Sequence, residues 1–384
     1  MSTLVARRRS AARQVQVPGR DTRLYDLVAL GLTVYARSRF RIRVVGAPLV
    51  YRPRMLVVAT HRGHADAPVL VAALYRQAHG LVRRNPAVHF AVRDDLFVPG
   101  FFAGFPPGVP RLLRRALFGL SAGPVLRRFL PCHPVRPGSR LRLVQALREH
   151  PDAPLDQLLP PELLHPLCER AEAYGREIFL ARDVLSGDYA DLLWEIADSK
   201  TLDSTRLDAT WHRRRIAAAA DFRALVDVVR GGGSLFISPE GRPSPDGTIG
   251  PLEGGISALV RRADPELVVP LAPAYDPLVE GRPLALVGVD EPHAPHGSAD
   301  AILPLLRRTT PLTVASSLAA ALADDADPAV RLEADVEAAR SEGRPYDPQL
   351  SDPELRLRRL AVARRLSEGR DLSRLVREYR SARA

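Results

Sequence analysis

Short apolar runs alternate with amphipathic stretches along most of this chain. Positions 21–39 read as a helix, with Leu24, Leu27, Val28 and Tyr35 on one face. Positions 40–45 alternate as a strand does, and 55–60 form a short apolar run of the kind that fills a buried strand. A helical pattern covers 67–78, and 88–92 is another short strand candidate. Positions 139–222 are mostly helical in pattern, with a Pro-rich break at 151–161. Positions 221–230 continue as helix and stop at Gly231-Gly232-Gly233. A strand at 235–238 follows, then a turn over 239–247, a helix over 253–263, and strands at 268–272 and 284–289. From about 296 onward the chain turns helical and increasingly charged. Strands alternating with helices predict an α/β domain over roughly 21–295.

Composition bounds the class without naming a function. The 384 residues, 46% hydrophobic and 26% charged, are enough for a sizeable core. No stretch reaches about 18 uninterrupted apolar residues, so no transmembrane helix is predicted. Arg7, Arg8 and Arg9 are followed by no apolar run, so no secretory signal is expected there. Cys132 and Cys168 are the only cysteines; they make no disulfide framework and no metal-type spacing.

Charge adds a feature that periodicity does not show. Lys200 is the only lysine, and residues 1–20 carry five Arg and no acid. Residues 353–384 carry ten Arg against four acids, so the two ends account for the whole net charge of +11. Basic ends on a formally neutral body suit contact with a polyanion, or are simply solvated tails. Near an anionic bilayer each Arg gains on the order of 1 kcal/mol. A nucleic-acid partner is disfavoured, because no aromatic-basic recognition motif is present. Between 97 and 129, Phe97, Phe101, Phe102, Phe105, Phe118 and Phe129 interleave with Arg111, Arg114, Arg115, Arg127 and Arg128. Both an interfacial amphipathic segment and a core helix with a basic outer face fit that pattern.

Two stretches carry candidate chemistry. Thr60-His61-Arg62-Gly63-His64-Ala65-Asp66 sits where a buried strand gives way to a helix, the usual place for ligands in α/β sheets. A tight turn there brings the Asp66 carboxylate to the His61 imidazole, fixing its tautomer and readying it as a general base. On chemistry alone His64 serves equally well, and an Asp at a helix start is also an ordinary cap. The second stretch, Ser238-Pro239-Glu240-Gly241-Arg242-Pro243-Ser244-Pro245-Asp246-Gly247, demands a turn after a strand, and its Glu and Arg suit a phosphorylated acceptor.

Together these stretches resemble the glycerolipid acyltransferases, which include the lysophosphatidate and glycerol-3-phosphate acyltransferases. The family's His-four residues-Asp block matches His61 and Asp66. The Thr-His-Arg-Gly-His form is similar to the glycerol-3-phosphate branch, which has Ser where Gly63 stands. Leu130-Pro131-Cys132-His133-Pro134-Val135-Arg136 resembles the second block and places Arg136 as its phosphate-binding arginine. Ser238 to Ser244 aligns without a gap with the third block, Phe-Pro-Glu-Gly-Thr-Arg-Ser, and Val269-Pro270 matches the fourth. The third block departs at Arg242, where Thr is usual, and at Pro243, where Arg is usual.

The resemblance implies a mixed sheet flanked by helices, with a helical insertion at 139–222 inside an acyltransferase domain at 21–295. A basic arm at 1–20 and a helical, basic extension at 296–384 complete the chain. It implies O-acyl transfer from acyl-CoA or acyl-carrier protein to a hydroxyl of a glycerol-phosphate or lysophospholipid-type acceptor. His61 is then the base and Asp66 its orienting partner. Arg62, Arg136, Glu240, Gly241 and Arg242 hold substrate. The acyl donor is a cosubstrate, and no further cofactor or metal is expected. With the basic ends, the expected setting is cytoplasmic, peripheral on the inner face of the plasma membrane. The competing expectation is a non-catalytic lipid- or protein-binding module that kept the fold.

Overall fold

The computed structural model describes residues 22–384, except 51, 64, 79–87, 105–108, 130, 203–204, 242–243, 245 and 296–297. The basic arm at 1–20 therefore lies outside the described residues. The chain divides into two compact units: one from the segment up to Phe90 with Val226–Ala384, the other from Ala91 to Leu225.

The first unit contains α1 (Thr22–Arg39), β1 (Arg41–Gly46), β2 (Met55–Ala59), α2 (Asp66–Ala78) and the start of β3 (Val88–Arg93). Its remaining elements follow the second unit in sequence and are described with it below. The second unit runs through α3 (Phe101–Gly104), α4 (Arg111–Leu117), α5 (Gly123–Phe129), β4 (Cys132–Val135), β5 (Arg140–Arg142), α6 (Leu143–Glu149), α7 (Pro161–Ala173), α8 (Ala181–Val184), α9 (Ala190–Leu193), β6 (Ile196–Asp198) and most of α10 (Asp208–Arg230). The chain then returns to the first unit with β7 (Ser234–Ile237), α11 (Gly255–Ala263), β8 (Leu267–Asp276), β9 (Leu284–Val289), α12 (Ala299–Thr309), α13 (Val314–Ala323), α14 (Pro328–Ser341), α15 (Pro353–Ser367) and α16 (Ser373–Arg383).

The first unit is α/β, as expected. Six strands lie in the order β1-β9-β8-β2-β7-β3. β2 has parallel neighbours on both sides, with Leu56 beside Leu235 of β7 and Ala59 beside Leu271 of β8. β1 runs parallel to β9 and β3 parallel to β7, whereas β8 and β9 form an antiparallel hairpin, so the sheet is mixed but mostly parallel. Every residue of β2 is buried, which is why it reads as an unbroken apolar run. Met55, Val57 and Ala59 share a core with Val69, Leu70 and Ala73 of α2 and with Val269, Leu271, Ala285 and Val287. A separate core, including Leu318, Leu332, Val336, Leu360 and Tyr379, unites α13 to α16.

Two elements differ from expectation. α1 forms where predicted, but the face it buries consists of Ala29, Thr33 and Ala36. Small side chains let α1 lie close against α2, and Leu27 and Tyr35 point outward at 62% and 53% exposure. β8 runs to Asp276 instead of stopping at 272, because its second half pairs with β9 from Ala272 through Asp276. Pro270 and Pro273 interrupt the strand pattern there.

The second unit has its own core, including Leu143, Val144, Leu147, Leu167, Tyr189, Leu193 and Trp211. The stretch 139–222 is helical for the most part, but β5 and β6 form a small antiparallel sheet within it. Three residues each are too few for alternation to show. The Phe- and Arg-rich segment carries features of both arrangements it suggests. Phe101 and Phe118 pack on the core, while Phe102 and Leu112 are exposed. Arg111 and Arg115 are exposed on its outer side and both are bonded to the buried Asp188 carboxylate, at 2.7 Å. Phe105 lies outside the described residues. Among the described residues no helix is long and apolar enough to cross a membrane.

Candidate active site

Three neighbouring parallel strands deliver the site to one edge of the sheet. β7, β2 and β8 point the same way, so the chain following β7, the chain following β2 and the second half of β8 all gather at their carboxyl ends. Thr60 N–H still donates to Leu271 O at 3.1 Å; the chain leaves the sheet at His61 and enters α2 at Asp66.

The Asp66 side chain turns back into that loop. Its Oδ2 lies 3.0 Å from His61 Nδ1 and accepts from Gly63 N–H at 2.8 Å and from Arg62 N–H. Its Oδ1 accepts from the Tyr275 hydroxyl at 2.6 Å, across from the end of β8. The bonds it makes among the described residues run backward and sideways, so it orients the ring rather than serving as an ordinary helix cap. Burial first, and then the Asp66 charge, push the Tyr275 phenol well above its usual range. The phenol therefore stays protonated and donates.

The loop after β7 holds the main chain of His61 on both sides. Glu240 Oε1 accepts from His61 N–H at 2.9 Å, and Ser244 N–H donates to His61 O at 2.9 Å. Gly241 supplies the left-handed turn this needs, at φ +71°. Asp246 closes the loop by accepting from the Ser244 and Thr248 hydroxyls, each at 2.8 Å, and those bonds pull its carboxyl down to about 2. Burial raises the Glu240 carboxyl above the ordinary glutamate value, opposed by bonds from the His61 and Gly250 amides.

The pair is asymmetric in exposure. The Asp66 side chain is 2% exposed and that of His61 is 21%. A carboxylate facing Nδ1 favours the proton there, which leaves the Nε2 lone pair free on the accessible ring. The arrangement can accept a proton from a hydroxyl and hold the resulting imidazolium beside a negative charge.

The other expected site residues fall in different places. Arg62 is 2% exposed; its guanidinium reaches Thr310 Oγ1 at 3.3 Å and lies 3.7 Å from Glu378. Glu240 is likewise buried, at 7%. Both were expected on the acceptor; both side chains are buried and bonded within the protein. Arg136 belongs to the second unit, just after β4, and sits 3.2 Å from Asp221. Val269 and Pro270 are buried in β8, the strand that carries Tyr275. Arg242, Pro243 and His64 lie outside the described residues. Among the described residues no group of His, Cys, Asp and Glu could hold a metal ion. Tyr275, Arg374 and Glu378 take part in the site without any local sequence signal to mark them.

Comparison with protein-family models, with curated proteins and with solved structures yields no match for this chain.

Proposed function

We propose that the chain is an O-acyltransferase of glycerolipid type. His61 Nε2 takes the proton of an acceptor hydroxyl, on a glycerol-phosphate or lysophospholipid-type molecule. The oxygen attacks the thioester carbonyl of acyl-CoA or acyl-carrier protein. A C–O bond forms, the C–S bond breaks, and the departing thiolate takes the proton from the imidazolium. The single observation that carries this reading is the imidazole–carboxylate pair at the end of β2, its ring accessible and its main chain bracketed by Glu240 and Ser244. A positioned base of this kind contributes roughly 10²–10⁴-fold. In this reading Glu240 and Gly241 serve the base, and Arg62 anchors its loop.

The substrates and α1 together support a site of action on an anionic membrane, peripherally and from the cytoplasmic side. Leu27, Leu30 and Val34 recur at helical spacing on the outward face of α1, at 62%, 49% and 61% exposure, and Arg37 and Arg39 follow in its last turn. An apolar outer face ending in cations suits insertion among lipid headgroups.

The test is acyl-CoA turnover with a panel of hydroxyl acceptors, comparing wild type with His61→Ala. The expected result is transfer that the substitution lowers by roughly 10²–10⁴-fold with the fold intact. Equal rates in the two proteins would sink the assignment and leave a lipid- or protein-binding module on this fold.

A further inference from the structure

One face of α16 bonds to both loops of the candidate site. Arg374 Nη2 donates to Arg62 O at 2.8 Å. Glu378, 8% exposed, accepts from Arg374 Nε at 2.9 Å, and its other oxygen lies 3.7 Å from Arg62 Nη1. Further along the helix, Ser381 Oγ accepts from Ile249 N–H at 2.8 Å. The Glu378 side chain also fills the space over Gly247: a Cβ there would come within 2.3 Å of its Cγ, and Gly247 has φ +83°. α16 is anchored to its own bundle by Tyr379, whose hydroxyl donates to the buried Asp335 at 2.7 Å, and by Arg383, 2.9 Å from the same carboxylate.

The bond to Arg62 O reaches the catalytic pair through one rigid unit. The carbonyl of Arg62 and the N–H of Gly63 belong to the same planar peptide group. Its N–H donates to Asp66 and its oxygen accepts from Arg374. The two bonds lie at opposite ends of one dipole, so each polarises and orients the group for the other. Similarly, Ser381 holds the exit of the loop whose Glu240 and Ser244 bracket His61.

We propose that α16 is a positioning element for the His61–Asp66 pair, with Arg374 and Glu378 as the residues that set the Arg62–Gly63 peptide against Asp66. The kinetic arm of its test rests on the acyl-transfer reading; the geometric arm does not. Arg374 is 49% exposed at its side chain, so Arg374→Ala leaves the core untouched. The full chain carrying Arg374→Ala, Arg374→Lys or, as a control, Arg365→Ala is compared with wild type. Two readouts are taken: kcat and KM for acyl-CoA, and the downfield proton resonance of His61 Nδ1–H, assigned by its loss in His61→Ala.

Arg374→Ala is expected to lower kcat by roughly 10- to 100-fold, the scale of a small misplacement of the base. KM stays within about twofold, because only positioning for the chemical step is lost. The Nδ1–H resonance broadens or disappears, Arg374→Lys restores part of both readouts, and Arg365→Ala changes neither. Wild-type kcat and an unchanged resonance in Arg374→Ala overturn the proposal. So does a loss that follows the thermal midpoint and that Lys does not restore. If wild type transfers from no acyl donor, the acyl-transfer reading fails by itself and the resonance still decides the positioning role.

Discussion

Asp66 and Asp188 are both almost fully buried, at 1% and 2% exposure, yet one faces an imidazole and the other a cluster of guanidinium groups. Asp188, in the second unit, is surrounded by guanidinium groups from Arg111, Arg115 and Arg176. Bonds from Arg115 and Arg111 drive its carboxyl far below the ordinary aspartate range. Asp66, in the first unit, is held by two main-chain N–H groups, a phenol and one imidazole. Guanidinium never releases its proton near neutrality, so the Asp188 cluster has a single charge state. An imidazole can exchange a proton at its second ring nitrogen, which a guanidinium does not do. The two buried carboxylates differ in the partner each faces rather than in their burial.

The largest effect expected from this contrast is in paired substitutions. Asp66→Asn removes the charge that fixes the His61 tautomer, and kcat for acyl transfer falls by roughly 10²–10⁴-fold. Asp188→Asn leaves kcat near wild type and lowers the thermal midpoint by a few degrees instead, through loss of charge-assisted bonds. Turnover and melting measured on both variants check this; an exchange of the two phenotypes breaks the comparison.

A smaller effect is expected at the neutral side of the Asp66 cluster. Tyr275→Phe takes the hydroxyl from Asp66 Oδ1 and leaves a buried acceptor without its donor, which costs about 1–3 kcal/mol in urea unfolding. The fall in kcat is less than that of Asp66→Asn, because the Nδ1 bond survives. A Tyr275→Phe variant as stable as wild type would show that the phenol does not support the carboxylate.

The smallest effects are in pH dependence, and the two units respond with opposite sign. Asp188 has a lowered folded value, so its stabilisation is complete above the unfolded value of about 3.9 and fades as pH falls through the lower folded one. Glu240 has a raised folded value, so its contribution is present below the unfolded value of about 4.3 and is lost as pH rises through the folded one. Glu240→Gln keeps an acceptor for the His61 N–H and removes that loss. Its thermal midpoint is expected above wild type at about pH 8 and level with it near about pH 4. The deficit of Asp188→Asn stays level over that range and shrinks only as pH falls below about 4. Thermal melts from about pH 8 down into that acid range check both, and a Glu240→Gln gain that grows toward acid would reverse the sign.

Elements buried on all sides were the most legible in the sequence. β2 and β9 announced themselves as unbroken apolar runs, because both faces of each strand are covered. α1 was legible as a helix but not in its orientation. Periodicity singles out the large residues Leu27 and Tyr35, whereas close packing against α2 selected Ala29, Thr33 and Ala36. The second half of β8 was hidden by its prolines, and with it Tyr275.

The sequence by itself determined the chemistry available: an imidazole and a carboxylate five positions apart at a strand end, and a turn that needs Gly241. These depend on residue type and short spacing, which local physics sets. Only the tertiary structure decided what those groups face. The bond from Glu240 to His61 spans 179 positions, that from Tyr275 to Asp66 spans 209, and that from Arg374 to the His61–Asp66 loop spans 312. The first two exist because β7, β2 and β8 lie side by side and parallel, and the third because α16 comes to lie against the loop after β2, long-range placements that no local pattern encodes. Those placements turned Glu240 and Arg62 inward to hold the loop, and left the His61 ring as the accessible member of the pair.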